Sequence, residues 1–149
     1  MKCSTGFIKI FVYGTLLKGE HNHYLMKNSE LLFYGKTKKQ YTLYCMESFP
    51  GMVEGGNDSV SGEVYAVNPE NLKKLDELEG HPDWYLRKKI QLENGEEVET
   101  YVLPESIAIA EKGVKIAGDW RKTKINKSFE ETLKDIGDSK KTRCHSEIC

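Results

Sequence analysis

The clearest candidate for chemistry in this chain is Glu79, in the run Leu72-Lys73-Lys74-Leu75-Asp76-Glu77-Leu78-Glu79. At about 100° per residue, Leu72 and Leu75 define an apolar stripe with Leu78 on its flank. Glu79 follows Leu72 by seven positions, only about 20° around a helix, so it sits on that stripe. Lys73, Lys74 and Glu77 project to the other side. Burial disfavours the charge of an acid on the apolar face of a last helical turn, and the negative end of the helix dipole disfavours it again. Both effects raise its pKa toward neutrality, where a general acid–base works best. A helix end that reaches the surface is the alternative, with Glu79 in water or paired with Arg87 or Lys88. Asp76, on the stripe's edge, is a rival carboxylate. The pair Asp76/Glu79 could form an acid–base dyad or hold a metal, but no histidine joins them at ligand spacing, and His81 reads as exposed loop.

A second candidate is Tyr13-Gly14-Thr15-Leu16, where the strand-like run Lys9–Val12 stops. Gly14 permits close approach to the backbone, and N–H groups at a strand-to-loop turn can hold a carboxylate or an oxyanion. A plain tight turn is the competing reading. The spacing of a phosphate-binding loop is absent, which excludes nucleotide binding of that kind.

The elements that must position these residues follow from local signals. Asn68-Pro69 opens a helix with an N-cap and a first-turn proline, and Gly80 closes it, so the helix is predicted over 69–79. Val60 to Val67 alternates like a strand, and Leu86–Leu92 and Val98–Leu103 flank Asn94-Gly95 as a hairpin. LLFYGKTKKQYTLYCM reads as one or two strands, and Asn22 is expected to cap a short helix through His23–Lys27. Phe49-Pro50-Gly51-Met52 and Gly55-Gly56-Asn57-Asp58 read as turns. Strands in uneven order with few helices indicate an α+β fold with a small, curled or closed sheet.

The chain has 149 residues, enough for one domain, and its net charge of −1 gives no basic face for a nucleic acid or a membrane surface. No stretch approaches the roughly 18 apolar residues of a membrane span. The first residues lack a long apolar segment and a cleavage site, so no signal peptide is expected. Cys3, Cys45, Cys144 and Cys149 form no C-x-x-C pair; free thiols in a reducing cytosol, and hence a cytoplasmic protein, are the expectation. Residues 1–122 are read as one domain. Residues 123–149 are read as an extension with a short helix at Phe129–Ile136 and a solvated tail from Gly137, in which Cys144, His145 and Cys149 lack the spacing of a metal site.

Four segments in order, FVYGTLLKGEHN, GEVYAV, LDELEGHPDWYLR and GDW, resemble the γ-glutamylcyclotransferase-like family, closest to its γ-glutamylamine cyclotransferase and AIG2-like branch. The resemblance runs from about Lys9 to Trp120. It implies a small mixed β-barrel with flanking helices, a γ-glutamyl small molecule as substrate and no cofactor or metal. It places Tyr13, Gly14, Thr15 and Leu16 beside that substrate as a backbone cradle, and the general acid–base at Glu79. The implied reaction is cyclisation of a γ-glutamyl amine or γ-glutamyl amino acid to 5-oxoproline with release of the amine. A non-catalytic binder on the same fold, or a small amide hydrolase using the same carboxylate, are the alternatives.

Overall fold

The structure, a computed structural model, describes residues 6–47 and 49–122. The elements expected at Phe129–Ile136 and from Gly137, with Cys144, His145 and Cys149, lie outside the described residues. Eight strands run in chain order: β1 (Ile8–Val12), β2 (Glu30–Lys36), β3 (Tyr41–Met46), β4 (Phe49–Glu54), β5 (Ser61–Val67), β6 (Leu86–Gln91), β7 (Glu97–Val102) and β8 (Val114–Ile116). Two helices, α1 (Pro69–Glu79) and α2 (Glu105–Ala110), and a 3-10 turn at His23–Met26 accompany the strands, and residues 120–122 are helical. The strands form one mixed sheet in the order β2-β5-β1-β7-β4-β3-β8, with β6 on β7, curled into a half-barrel.

The feature that matters for the site is a seam in this sheet. β6 pairs with β7 antiparallel along its whole length. The opposite edge of β7 is shared between two parallel partners. β1 occupies it first, with Ile10 opposite Glu99 and Phe11 opposite Thr100. β4 takes over at Met52, opposite Val102. Between these registers β1 leaves the sheet at Val12, and the chain turns through Tyr13 and Gly14. The ligand cleft of an open parallel sheet lies where neighbouring strands part, and the same logic applies here.

From Ile10 to Val12 both faces of β1 are buried, as the β-branched and aromatic composition there requires. Ile10 and Val12 point into a core shared with Leu72 and Leu75 of α1 and with the fully buried Trp120. Phe11 and Tyr13 point into a second core, drawn from strands and their flanking residues inside the curl. Helix α1 forms as its caps dictate. The Asn68 side chain accepts from the Asn71 N–H at 2.8 Å, and Gly80 closes the helix in the left-handed region at φ 69°.

Three local expectations are corrected. Phe49–Met52 is not a turn but the first four residues of β4, paired with β3 from Met46 opposite Phe49 to Tyr41 opposite Glu54. Asn22 does not cap the 3-10 turn; its side chain donates to the Thr15 hydroxyl at 3.0 Å instead. Cys45, wholly buried on β3, is not a free thiol but disulfide-bonded.

Candidate active site

Helix α1 delivers Glu79 on its last turn to the mouth of the seam, where a cavity of about 280 Å³ opens. Tyr13, Gly14, Thr15, Leu16 and Glu79 all line it, although 63 or more positions separate the loop from the helix end. Across the opening stand Pro50 of β4, Tyr85 from the segment after α1, and Tyr101 of β7. Among the described residues no group of three His, Cys, Asp or Glu is placed to hold a metal ion.

The Glu79 carboxyl makes no hydrogen bond or ion pair among the described residues. Burial therefore acts unopposed and pushes its pKa from the usual 4.5 to about 7. The cations next to it in sequence are committed elsewhere. Arg87 Nε and Nη2 grip Asp76 at 2.9 and 3.2 Å, its Nη1 reaches Glu99, and Lys88 pairs with Glu54 at 2.8 Å. The two carboxylates of the helix end thus differ sharply. Asp76 accepts from Arg87 and from the Tyr101 hydroxyl at 2.6 Å. Glu79 has neither partner. His81 is bound into the same frame, its Nδ1 accepting from the Arg87 N–H at 2.9 Å.

Three tyrosines surround Glu79, and all three phenol pKa values are raised by burial first and by the Glu79 charge among the lesser causes. Tyr13 has a second task. Its hydroxyl donates to the Tyr101 carbonyl at 2.7 Å and accepts from the Met52 N–H at 3.0 Å. One phenol oxygen thereby joins β7 to β4 at the step where β1 has left, in place of a backbone rung. The Tyr85 hydroxyl donates to the Pro50 carbonyl on the other lip.

The loop after Tyr13 is tied down by hydrogen bonds to its own carbonyls and to Asn22 and His23. The Leu17 N–H donates to the Gly14 carbonyl at 3.0 Å, closing a turn. Asn22 binds Thr15 twice, its N–H to the carbonyl at 3.0 Å and its amide to the hydroxyl. The Leu16 carbonyl pairs with His23 Nδ1 at 2.9 Å, while the Leu16 and Leu17 side chains are buried. The N–H groups of Gly14, Thr15 and Leu16 find no acceptor among the described residues. Behind the loop, the buried Glu63 of β5 accepts from the Lys18 N–H at 3.0 Å and the Tyr65 hydroxyl at 2.9 Å, and pairs with Arg121 at 3.1 Å. Arg121 also donates to the Lys18 carbonyl.

Sequence reasoning missed Tyr85, Tyr101, Pro50 and the Glu63 clamp. Tyr101 carried a faint signal: it is the large aromatic on the face of β7 otherwise occupied by Glu97 and Glu99. Glu63 carried another, as an acid inside the alternating apolar run of β5.

This chain belongs to a known family, shown by a match over most of its length. Residues 10–122 match the model described as gamma-glutamyl cyclotransferase, AIG2-like. The Methanocaldococcus jannaschii protein MJ1514 is 46% identical over 108 residues, which cover 67% of this chain and 88% of that one. Gamma-glutamylaminecyclotransferase C of Danio rerio is 41% identical over 100 residues, covering 58% and 66% of the two chains. The solution NMR structure of YtfP from Escherichia coli superposes with a TM-score of 0.60 at 34% identity, over 76% of this chain and 96% of that one.

Proposed function

We propose that this protein is a cofactor-independent cyclotransferase that converts a γ-glutamyl amine or γ-glutamyl amino acid to 5-oxoproline and a free amine. The observation that carries the reading is one cavity lined both by Glu79, whose carboxyl has no partner among the described residues, and by Gly14, Thr15 and Leu16, whose N–H groups have no acceptor among them. Glu79 can take a proton near neutral pH and give it back, and the amides of Gly14, Thr15 and Leu16 can hold an oxygen that gains charge.

In this reading Glu79 removes a proton from the substrate's α-ammonium group. The freed amine attacks the γ-carbonyl of the same molecule, forming the new C–N bond, and the carbonyl oxygen becomes an oxyanion held by the loop amides. Glu79 then returns its proton to the leaving nitrogen as the old amide bond breaks, and the extra proton left on the attacking nitrogen passes to the released amine, which departs as an ammonium ion. Folding the substrate into the reactive conformer supplies up to ~7–11 kcal/mol. The shuttling carboxylate contributes ~10²–10⁴-fold, and a preorganised backbone donor ~10²–10³-fold.

Incubation with a panel of γ-glutamyl amines and γ-glutamyl dipeptides, followed by mass spectrometry, tests the reading. 5-Oxoproline from at least one compound is expected, and its loss in Glu79→Gln. Free glutamate in its place would make the protein an amidase. Binding without turnover across the panel would make it a binding module.

A further inference from the structure

Among the described residues Glu79 has no hydrogen-bond donor, although three phenols stand around it. Tyr13 approaches from the end of β1, Tyr85 from the segment after α1, and Tyr101 from β7. His21, from the loop after β1, lines the same cavity. Asp76 lies one turn back on α1, with Arg87 of β6 and Glu99 of β7 behind it and His81 beside Arg87. A phenol has one proton to donate. Tyr13 and Tyr85 give theirs to main-chain carbonyls, those of Tyr101 and Pro50. Tyr101 gives its proton to the side chain of Asp76 at 2.6 Å.

Asp76 and Glu79 are neighbours at i and i+3 on the same helix, where side chains come within reach of a common partner. Tyr101 stands near both, since the charges of Asp76 and Glu79 each help to raise its phenol pKa, and its single proton goes to one acceptor at a time. Arg87 decides between them, because its fork orients both Asp76 oxygens and leaves Oδ1 aimed at the phenol. We propose that Asp76, fixed by Arg87, is a positioning residue for the acid–base site: by taking the Tyr101 proton it withholds a donor from Glu79 and so sets the pH at which Glu79 ionises. A carboxylate that accepts a hydrogen bond is stabilised in its charged form. Were Tyr101 to turn to Glu79, the base would weaken, and the proton it returns to a leaving nitrogen would come from a stronger acid held at too low a population.

The inference rests on the acid–base role proposed for Glu79, but it is testable without substrate. The probe is a pH titration of the Glu79 side-chain carboxyl by carbon-13 NMR, its resonance assigned by its loss in Glu79→Gln. In Tyr101→Phe the midpoint should stay where it is in the wild type, since that phenol proton is spent on Asp76. In Asp76→Ala the phenol is released and the midpoint should fall by about one pH unit or more. The double variant Asp76→Ala/Tyr101→Phe should return it to the wild-type value. A clear rise in Tyr101→Phe alone would show that the phenol already serves Glu79 and would overturn the proposal. An equal fall in the single and double variants would assign the effect to charge and overturn it as well. If Asp76→Ala does not fold, Asp76→Asn carries the test: its amide oxygen still accepts from Tyr101, so an unmoved midpoint supports the proposal and a fall overturns it. Formation of 5-oxoproline is scored separately, so the cyclisation reading and this one fail independently.

Discussion

Gly14 lies against the ring of Pro50, so closely that a Cβ added to Gly14 would stand 2.4 Å from Pro50 Cγ and 2.9 Å from Cδ. The glycine is required by the opposite lip of the seam, whatever substrate comes to rest there. Gly14→Ala should destabilise the protein by ~1–3 kcal/mol as the strands are forced apart, and Gly14→Val by more. Pro50→Ala removes both clashing atoms, so in urea denaturation the Gly14→Ala/Pro50→Ala pair should recover most of the loss. Additive losses would mean that the two lips do not meet as described. Thr15→Ser keeps the oxygen that Asn22 donates to, and should be close to neutral.

Tyr13→Phe tests the phenol that bridges β7 and β4. It leaves the Met52 N–H and the Tyr101 carbonyl without the partner each has now, at ~1–3 kcal/mol per buried group. Hydrogen exchange should quicken at the Met52 amide well beyond the rise at β6 amides. Uniform quickening would point to general destabilisation, not to loss of this bridge.

Glu79 gives a signed pH dependence. Its folded pKa, about 7, lies above the ordinary 4.5, so the folded state holds the proton more tightly than the unfolded chain. The resulting penalty is absent below about pH 4.5, grows between there and about pH 7, and is complete above, on the order of 3 kcal/mol at most. Glu79→Gln should therefore equal or exceed the wild type in stability at pH 8, with the difference fading toward pH 4.5. Its kcat/KM for cyclisation should drop by ~10²-fold or more. In the wild type, kcat/KM should rise with pH through about 7, because the base must be ionised. A flat profile would remove Glu79 from the chemistry.

Glu63→Gln should weaken the fold and loosen the loop together. The buried carboxylate faces only donors, the Lys18 N–H, the Tyr65 hydroxyl and Arg121. An amide nitrogen placed among them leaves at least one unsatisfied, costing ~1–3 kcal/mol, or more where a charge is involved. Thermal denaturation measures the loss, and exchange at the Lys18 amide shows whether the loop shares in it.

What could be read from sequence was what local chemistry decides. Asn68, Pro69 and Gly80 bound α1, and once the helix is bounded its 3.6-residue period fixes the face of Glu79. Asn94-Gly95 marks the β6–β7 hairpin for the same kind of reason. β4 escaped because Pro50-Gly51 has the composition of a turn. In a strand the N–H and C=O of one residue point to the same side, and the Pro50 carbonyl points away from β3 toward Tyr85. The missing N–H is therefore not owed to the β3 ladder, and proline is tolerated at an edge of this kind. The partners Tyr101 of Asp76 and Arg121 of Glu63 were illegible because they lie 25 and 58 positions away, brought in by the register of the sheet for Tyr101 and by the return of the chain after β8 for Arg121.

The Tyr13–Tyr101 hydrogen bond spans 88 positions of the chain, and the parallel pairing of β1 with β7, Ile10 with Glu99, spans 89. Closing so long a loop costs entropy before any contact repays it, so such pairings form late in folding, after the local β6–β7 hairpin. The cavity exists only when both lips are docked on β7, which means that no fragment or half-folded intermediate can display it. In a refolding experiment, regain of ligand binding would then trail the recovery of secondary structure, and serve as a clock for the last strand to find its place.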